Sequence, residues 1–139
     1  MAIKVLTNGM FKLDAIDLSD HLVSATLNFQ AEMLDATAMT TGTASRIQKA
    51  GLQNWSLEAV LQQDYAANKT DAKLFAILGT TACFDLRPDN SCSTGINPSF
   101  NGIAILQEYA PVSGGIGELL RVTARFSPAS ALSRNTTAT

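Results

Sequence analysis

The sequence predicts a mainly β fold with one short flanking α-helix and a long projecting loop. Two segments, 21–31 and 52–63, alternate apolar and polar side chains, which is the pattern of a strand with one face on the core and one face in water. The segment between them has no period of its own, and only one short stretch shows helical spacing. A chain of 139 residues fits one domain of ordinary size.

The first 19 residues read as an irregular N-terminal segment. Asn8-Gly9 marks a turn, and Asp14 and Asp17 add local negative charge. We expect this segment to pack on the edge of its own domain or on a neighbouring surface. It lacks the uninterrupted apolar core of a secretory signal, and nowhere do eighteen apolar residues run together, so neither export nor a membrane partner is predicted.

The two alternating segments predict long neighbouring strands, each with one apolar side. The side chains on those two sides are Val23, Ala25, Leu27 and Phe29 in the first strand and Trp55, Leu57, Ala59 and Leu61 in the second. The intervening residues 32–51 are rich in Thr, Ala and Met. Loops of that length in compact domains are usually functional or disordered, so we predict a projecting functional loop there.

A short amphipathic helix is predicted after the strand pair. Residues 68–71 give a polar start signal, and Gly79 supplies the stop. The apolar side chains at helical spacing, which we expect to pack over the sheet, are Leu74, Phe75, Ile77 and Leu78.

Three further strands are predicted in the second half of the chain. The first covers 81–87, with Ala82, Phe84 and Leu86 on its buried side, and Pro88 helps to end it. The last two cover 100–111 and 118–128 and are joined by a glycine-rich connection. The earlier of these is apolar on both sides, which is typical of a central strand. It has Ile103, Ile105 and Tyr109 on one side with Gln107, and Ala104 and Leu106 on the other, whereas the later strand has Leu120, Val122, Ala124 and Phe126 on one side. The small, polar tail, 129–139, should fray at its end.

Composition and charge favour a protein that associates with other copies or partners and argue against a tight nucleic-acid binder. The chain is 46% hydrophobic and 16% charged with a net charge of −2, and a weakly charged surface favours association. Its ten Lys and Arg residues are scattered, whereas tight nucleic-acid binding needs them clustered. Any contact with DNA should therefore be passive.

The sequence offers no recognisable catalytic, metal or cofactor site. Its one histidine, His21, opens a strand, where a structural role is favoured. Asp85, Asp89 and Asn90 lack the spacing of a calcium loop, and residues 113–117 are glycine-rich without the lysine of a phosphate-binding loop. We predict a non-enzymatic protein with no cofactor.

Cys83 and Cys92 are the only cysteines. They lie nine positions apart across a predicted turn, so a disulfide that bridges a hairpin is geometrically conceivable. Without a secretion signal, free thiols are favoured.

An alternative function is a small-ligand or carbohydrate-binding β-module. Trp55 or Tyr109 would then be the aromatic platform on which the ligand stacks. Trp55 shares its side of the strand with Leu57 and Leu61, however, and that position favours a place in the core.

Five stretches of the sequence resemble one protein family in the same order. They are DLSDHLVSATLNFQAEMLDATAM (17–39), GLQNWSLEAVLQQDY (51–65), DAKLFAILGT (71–80), FDLRPDN (84–90) and NPSFNGIAILQEYAPVSGGIGELLRVTARFSPASALSR (97–134). In this order and spacing the chain resembles the major tail tube proteins of long, non-contractile bacteriophage tails. The likeness covers nearly the whole chain, and it is the order of the stretches, rather than any one of them, that makes it specific.

The resemblance implies a tail-tube-type β-sandwich or barrel flanked by a helix. It further implies six-membered rings of identical subunits that stack into the tail tube, the conduit for DNA ejection into the host. The implied partners are other copies of the chain, the tail tip or baseplate, the tape measure and tail terminator proteins, and DNA that passes without specific binding. The implied location is the virion tail, assembled in the host cytoplasm. The inner tube of a contractile tail or secretion system, which shares this architecture, is a second alternative.

The resemblance also assigns roles to residues, none of them catalytic. The polar side of the long strands should line the lumen, and the loop 32–51 should reach an adjacent ring. The lumen candidates are Asn28, Gln30, Glu58 and Gln62, and the loop candidates are Met33, Leu34, Asp35, Met39, Arg46 and Ile47. Lumens of such tubes are often acidic, whereas these lumen candidates are mostly neutral amides.

Overall fold

A computed structural model of the protein describes residues 3–14, 16–38 and 45–137. These residues form eight strands, a 3₁₀ turn at Ser19–His21 and one α-helix. In chain order the elements are β1 (Met10–Leu13), β2 (Ile16–Asp17), β3 (Leu22–Asp35), β4 (Gln48–Gln62), α1 (Thr70–Ile77), β5 (Thr81–Arg87), β6 (Ser99–Tyr109), β7 (Arg121–Pro128) and β8 (Ser133–Asn135).

All eight strands belong to one antiparallel sheet that curls around a single core. The strand order is β2-β1-β5-β6-β7-β4-β3, and β8 pairs with the start of β6. Phe11 of β1 meets Phe126 of β7 with ring centroids 6.4 Å apart, and Trp55 of β4 meets Phe84 of β5 at 5.3 Å. Each pair joins two strands that are three positions apart in the strand order, which would place them about 14 Å apart in a flat sheet. The rings are much closer than that, so the sheet must fold back on itself.

The predicted alternation is confirmed where strands cover the core. All four apolar side chains assigned to the inner side of β4 are buried, and so are those of β7 after residue 120. The bounds predicted for the strand at 81–87 are confirmed, with Ala82 and Phe84 buried and Leu86 half-buried. The buried members of this core on β4 and β7 are Trp55, Leu57, Ala59, Leu61, Val122, Ala124 and Phe126.

The prediction of an irregular N-terminal segment is wrong for residues 10–17. Met10–Leu13 pairs with β5, and Phe11 and Leu13 are fully buried. Four residues are too few for alternation to stand out in the sequence. The turn after β1 is fixed by Asp14, whose backbone has a φ of 52° and whose carboxylate accepts hydrogen bonds from the Cys83 amide at 2.9 Å and from Lys73 Nζ at 2.6 Å. The segment thus packs on an edge of its own sheet.

The prediction of a loop over 32–51 is wrong at both ends. β3 continues to Asp35 and β4 begins at Gln48, so the two strands form a long projecting hairpin. A register shift between Ala31 and Met33 breaks the alternation, and the sequence pattern therefore fades where the pairing continues. Met39 lies outside the described residues.

The helix is confirmed, but only half of its predicted apolar stripe is buried. Leu74 and Ile77 enter the core, whereas Phe75 is 71% exposed and Leu78 is also exposed. The helix is only eight residues long, so two inward positions suffice to cover the sheet. Gly79 has a φ of +78° and ends the helix as predicted.

The last long strands are shorter than predicted, and one contains a bulge. β6 ends at Tyr109 and β7 begins at Arg121. Between Leu106 and Glu108 the register shifts, so Tyr109 turns to the inner side opposite Ala124. Sequence alternation had placed Tyr109 on the other side of the strand with Ile105, which is wrong because of that bulge.

Part of the tail forms a strand that was not predicted from the sequence. Ser133–Asn135 forms β8 on β6, whereas the last two residues, to which the prediction of fraying applies, lie outside the described residues. A short polar run gives no alternation from which this pairing could be predicted. Cys83 and Cys92 are both exposed free thiols, as the sequence favoured.

Candidate assembly surfaces

The longest strand edge is open. Among the described strands, the fourteen-residue β3 pairs only with β4, so its other edge presents backbone N–H and C=O groups without a strand partner. Soluble proteins usually shorten, charge or cover such an edge, because it is a template for pairing with another chain. A long open edge therefore points to assembly.

The outward side of this part of the sheet is polar across three strands. The register places Asn28 opposite Ser56, Gln30 opposite Asn54, and Glu58 between Thr26 and Arg125. The lumen candidates therefore share one side of the sheet, with Gln62 at the end of β4 next to Arg121. The structure brings together the residues that the sequence assigned to one role.

Sequence reasoning missed the charges that β7 and β6 add to this polar side. Arg121 and Arg125 stand opposite Gln62 and Glu58. Glu108 pairs with Arg125 in register, and its Oε2 lies 3.7 Å from Arg125 Nε. The two arginines thus balance Glu58 and Glu108, and the polar side is close to neutral. The strand order, which supplies these neighbours, is not readable from single strands.

The inward side of β3 is apolar but only partly covered. Ala25 and Leu27 are half-buried, and Phe29 is 55% exposed, so the prediction of one fully buried side fails for this strand. A groove of about 320 Å³ lies between this side and the opposite wall of the curled sheet. The lining is mostly apolar and includes Leu22, Leu27, Phe29, Leu86, Phe100 and Leu132. The groove is open along β3, because β3 does not pair with the opposite wall of the curled sheet.

Solved structures with this arrangement come from gene transfer agent particles and from the SPP1 tail tube. A chain from the tail of an empty gene transfer agent particle, refined helically with C6 symmetry, matches at a TM-score of 0.76 and 17% identity over 98% of this chain and all of that one. A chain from the virion of the native gene transfer agent particle matches at 0.77 and 17% over 96% and 100%. The SPP1 tail tube matches at 0.69 and 12% over 95% and 78%.

The chain has the tail tube fold. At these identities the likeness shows the fold alone, and it confirms the mainly β architecture with a flanking helix. Sequence comparison gives no matching family model and no matching curated protein.

The described ranges show neither a membrane-spanning helix nor a metal site. They contain no helix with the length and apolar composition needed to cross a bilayer. Nor do these ranges hold a group of three or more His, Cys, Asp or Glu side chains placed to hold a metal ion.

In this tail tube fold the hairpin carries the residues predicted to reach another ring. Met33, Leu34 and Arg46 are exposed, as is Ile47. Asp35 is exposed too and accepts a hydrogen bond from the Thr37 amide at 2.9 Å, which holds the pKa of its carboxyl below the usual range. The pairing of the two arms continues beyond β3, since the Ala36 amide donates to the Ile47 carbonyl at 2.9 Å. The two arms of the hairpin thus remain paired as far as Ala36 and Ile47, and both residues face solvent.

The opposite end of the sheet is closed by the helix. Tyr109 Oη donates to the Asp71 carboxylate at 2.7 Å and accepts from Gln63 Nε2 at 2.9 Å. Burial raises the pKa of Tyr109 to about 12, so this phenol stays protonated as a donor. The Tyr109 ring is therefore fixed by its neighbours, and Trp55 is only 3% exposed. Both stacking platforms of the carbohydrate-binding alternative are engaged in the fold.

His21 ties the start of β3 to the segment that precedes the helix. Its Nδ1 lies 2.7 Å from an oxygen of Asp20 and its Nε2 lies 2.8 Å from an oxygen of Asp64. With a carboxylate on each ring nitrogen, the doubly protonated imidazolium is the form that satisfies both contacts. The hydrogen bond with Asp20, followed by that with Asp64, raises the pKa of His21 above its ordinary value of 6.5, although desolvation opposes the shift.

We expect stability to fall as pH rises through the raised pKa of His21. A group whose pKa is higher in the folded state contributes fully below its unfolded pKa, about 6.5, and that contribution is lost as pH rises through the folded pKa. Urea unfolding at pH 6, 7, 8 and 9 measures this slope. A His21→Gln variant should lose the slope over this range, and an unchanged slope in that variant would show that another group is responsible.

Proposed function

We propose that this chain is the subunit of a phage tail tube. Six copies join side by side into a ring, and rings stack into a hollow tube that conducts DNA into the host. The tube is a non-enzymatic part of the virion tail and is assembled in the host cytoplasm. Its other partners are the tail tip or baseplate, the tape measure and the tail terminator proteins.

The observation that carries the proposal is the open edge of β3, a strand that is polar on one side of the sheet and apolar on the other. A strand of a second copy added to that edge would lie about 4.8 Å away and satisfy its backbone groups. The second copy would continue the polar side of the sheet and also cover the apolar groove below Phe29. A contact between two different surfaces closes into a ring when its rotation allows. The C6 tail of the gene transfer agent supports six as the number of copies.

The polar side of the sheet suits a bore through which DNA slides. A lining rich in Lys or Arg would release counterions from the duplex and bind its phosphates. Here Arg121 and Arg125 are offset by Glu58 and Glu108, and the remaining lumen candidates on β3 are amides. Such a surface offers DNA hydrogen-bonding groups without a net attractive field.

Sedimentation and negative-stain electron microscopy of the purified chain test the proposal. We expect six-membered annuli and stacks of annuli at high protein concentration. A monomer that stays globular at all concentrations would contradict the proposal, and so would specific binding of a glycan or small molecule by that monomer.

A basic lining should turn the passive bore into a DNA-binding one. We expect tubes carrying Asn28→Lys and Gln30→Lys to assemble but to co-sediment with short duplex DNA at low salt, with binding that weakens steeply as salt rises. The matched control places lysines at Phe75 and Ile96, which are exposed on α1 and on the connection between β5 and β6. Equal DNA binding by wild-type and Asn28→Lys/Gln30→Lys tubes would show that this side does not line the bore.

A further inference from the structure

The surface that receives the projecting hairpin can be located on the same chain. This inference rests on the proposed function, and it names the contact that joins one ring to the next. Two groups of exposed side chains, each apolar with a bordering charge, lie on the hairpin and on the connection between β6 and β7. We call the first the hairpin surface (Leu34, Ile47 and Lys49) and the second the β6–β7 surface (Val112, Ile116, Glu118 and Leu119).

The two surfaces lie at opposite ends of the sheet. The hairpin surface adjoins the first residue of β4, since Asp35 pairs with Gln48. The β6–β7 surface adjoins the last residue, because Gln62 pairs with Arg121 and the Gln63 amide donates to the Leu120 carbonyl at 3.0 Å. β4 has fifteen residues, so the ends are roughly 45 Å apart. The hairpin of a subunit therefore does not reach its own β6–β7 surface.

Large apolar side chains are exposed to solvent on both surfaces. Ile116 is fully exposed, and Leu119 is 65% exposed. At the other end Leu34 is 49% exposed and Ile47 is 37% exposed. Clustered large apolar side chains at the surface mark interaction sites.

Each surface is bordered by charges of both signs, Lys49 and Glu32 on the hairpin and Glu118 and Arg121 at the β6–β7 connection, so opposite charges can pair in one register. On the hairpin Lys49 pairs in register with Leu34, so an ammonium group borders the apolar side chains. On the β6–β7 connection Glu118 immediately precedes Leu119, so a carboxylate borders them there. Opposite charges on the rim of an apolar contact fix its register and exclude wrong pairings.

We infer that the hairpin surface of one ring docks on the β6–β7 surface of a copy in the next ring. Each junction uses one surface of each kind. When a contact joins two different surfaces and shifts each copy along an axis, it repeats without closing. Such a contact between rings produces a filament of rings. Each added ring then presents a new, unfilled surface to the following one.

Paired variants test this contact. Leu34→Asp damages only the hairpin surface, and Ile116→Asp/Leu119→Asp damages only the β6–β7 surface. Each variant should form single rings that do not stack. When rings of the two variants are isolated and then mixed, they should form double rings and nothing longer, because one intact junction can form and both outer ends are blocked. Mass photometry and negative-stain images count the rings in each particle.

Controls separate this inference from the proposed function. Ile96→Asp alters an apolar side chain of matched exposure, 64%, outside both surfaces, and it should stack like the wild type. Lys49→Glu and Glu118→Lys should each shorten stacks at least tenfold at low salt, and the double variant should restore them. Normal stacking of either Asp variant, failure of the mixture to form double rings, or loss of stacking in the control would overturn the inference while rings persist. Absence of rings from the wild-type chain would overturn the proposed function and, with it, this contact.

Discussion

Replacing Phe29 with aspartate should leave the subunit folded but prevent it from forming rings. Phe29 is 55% exposed on the apolar side of β3, so the monomer loses little buried area, and we expect a cost of about 1 kcal/mol in unfolding free energy. In the proposed ring the same side chain is covered by the adjacent copy, where a carboxylate would be desolvated without a partner. Sedimentation velocity should show only monomer, and circular dichroism should show the wild-type β spectrum.

Asn28→Asp is the matched control for that variant. It introduces the same charge one residue away, on the polar side that faces water in both the monomer and the tube. Rings should still form. If Phe29→Asp assembled as well as Asn28→Asp, the groove beside β3 would not be the contact between subunits, and the lateral arrangement proposed here would be wrong.

Replacing Trp55 with alanine should have the largest effect on stability. Trp55 is buried between β4 and the opposite wall, packs on Phe84 with ring centroids 5.3 Å apart, and donates from Nε1 to the Ser130 carbonyl at 2.9 Å. Removing a buried indole leaves a cavity, so the free energy of unfolding should fall by about 3–5 kcal/mol in urea titrations.

Trp55→Phe separates packing from hydrogen bonding at this position. It keeps an aromatic ring against Phe84 but leaves the Ser130 carbonyl without its indole donor, and we expect a smaller loss of about 1–3 kcal/mol. A loss below about 1 kcal/mol for the alanine variant would contradict the view that this side chain joins the two walls of the sheet.

Much of the fold could be predicted because burial imposes a period of two on its strands. The inner side of β4, from Trp55 to Leu61, and the bounds of β5 follow directly from alternation. The failures occur where that period is interrupted. The register shift after Ala31 hid the outer part of the hairpin, and the shift after Leu106 turned Tyr109 to the unexpected side.

The assembly surfaces were only partly predictable for a different reason. Asn28 and Glu58 could be assigned to one polar side from their own strands, but the balancing arginines required knowledge that β7 lies beside β4. The open edge of β3 and the groove beneath Phe29 are properties of strand order. Single-strand patterns carry no information on which strand ends a sheet.

The exposure of Phe75 could not be predicted either, because its spacing in the sequence is that of a core residue of an amphipathic helix.

A cryo-EM reconstruction of tubes assembled from the purified chain tests the central claim most directly. The account predicts six copies in each ring, joined at the free edge of β3, with Asn28, Gln30, Glu58 and Gln62 facing the bore. A ring in which the β3 edge is exposed to solvent, or in which these four side chains face outward, would contradict it.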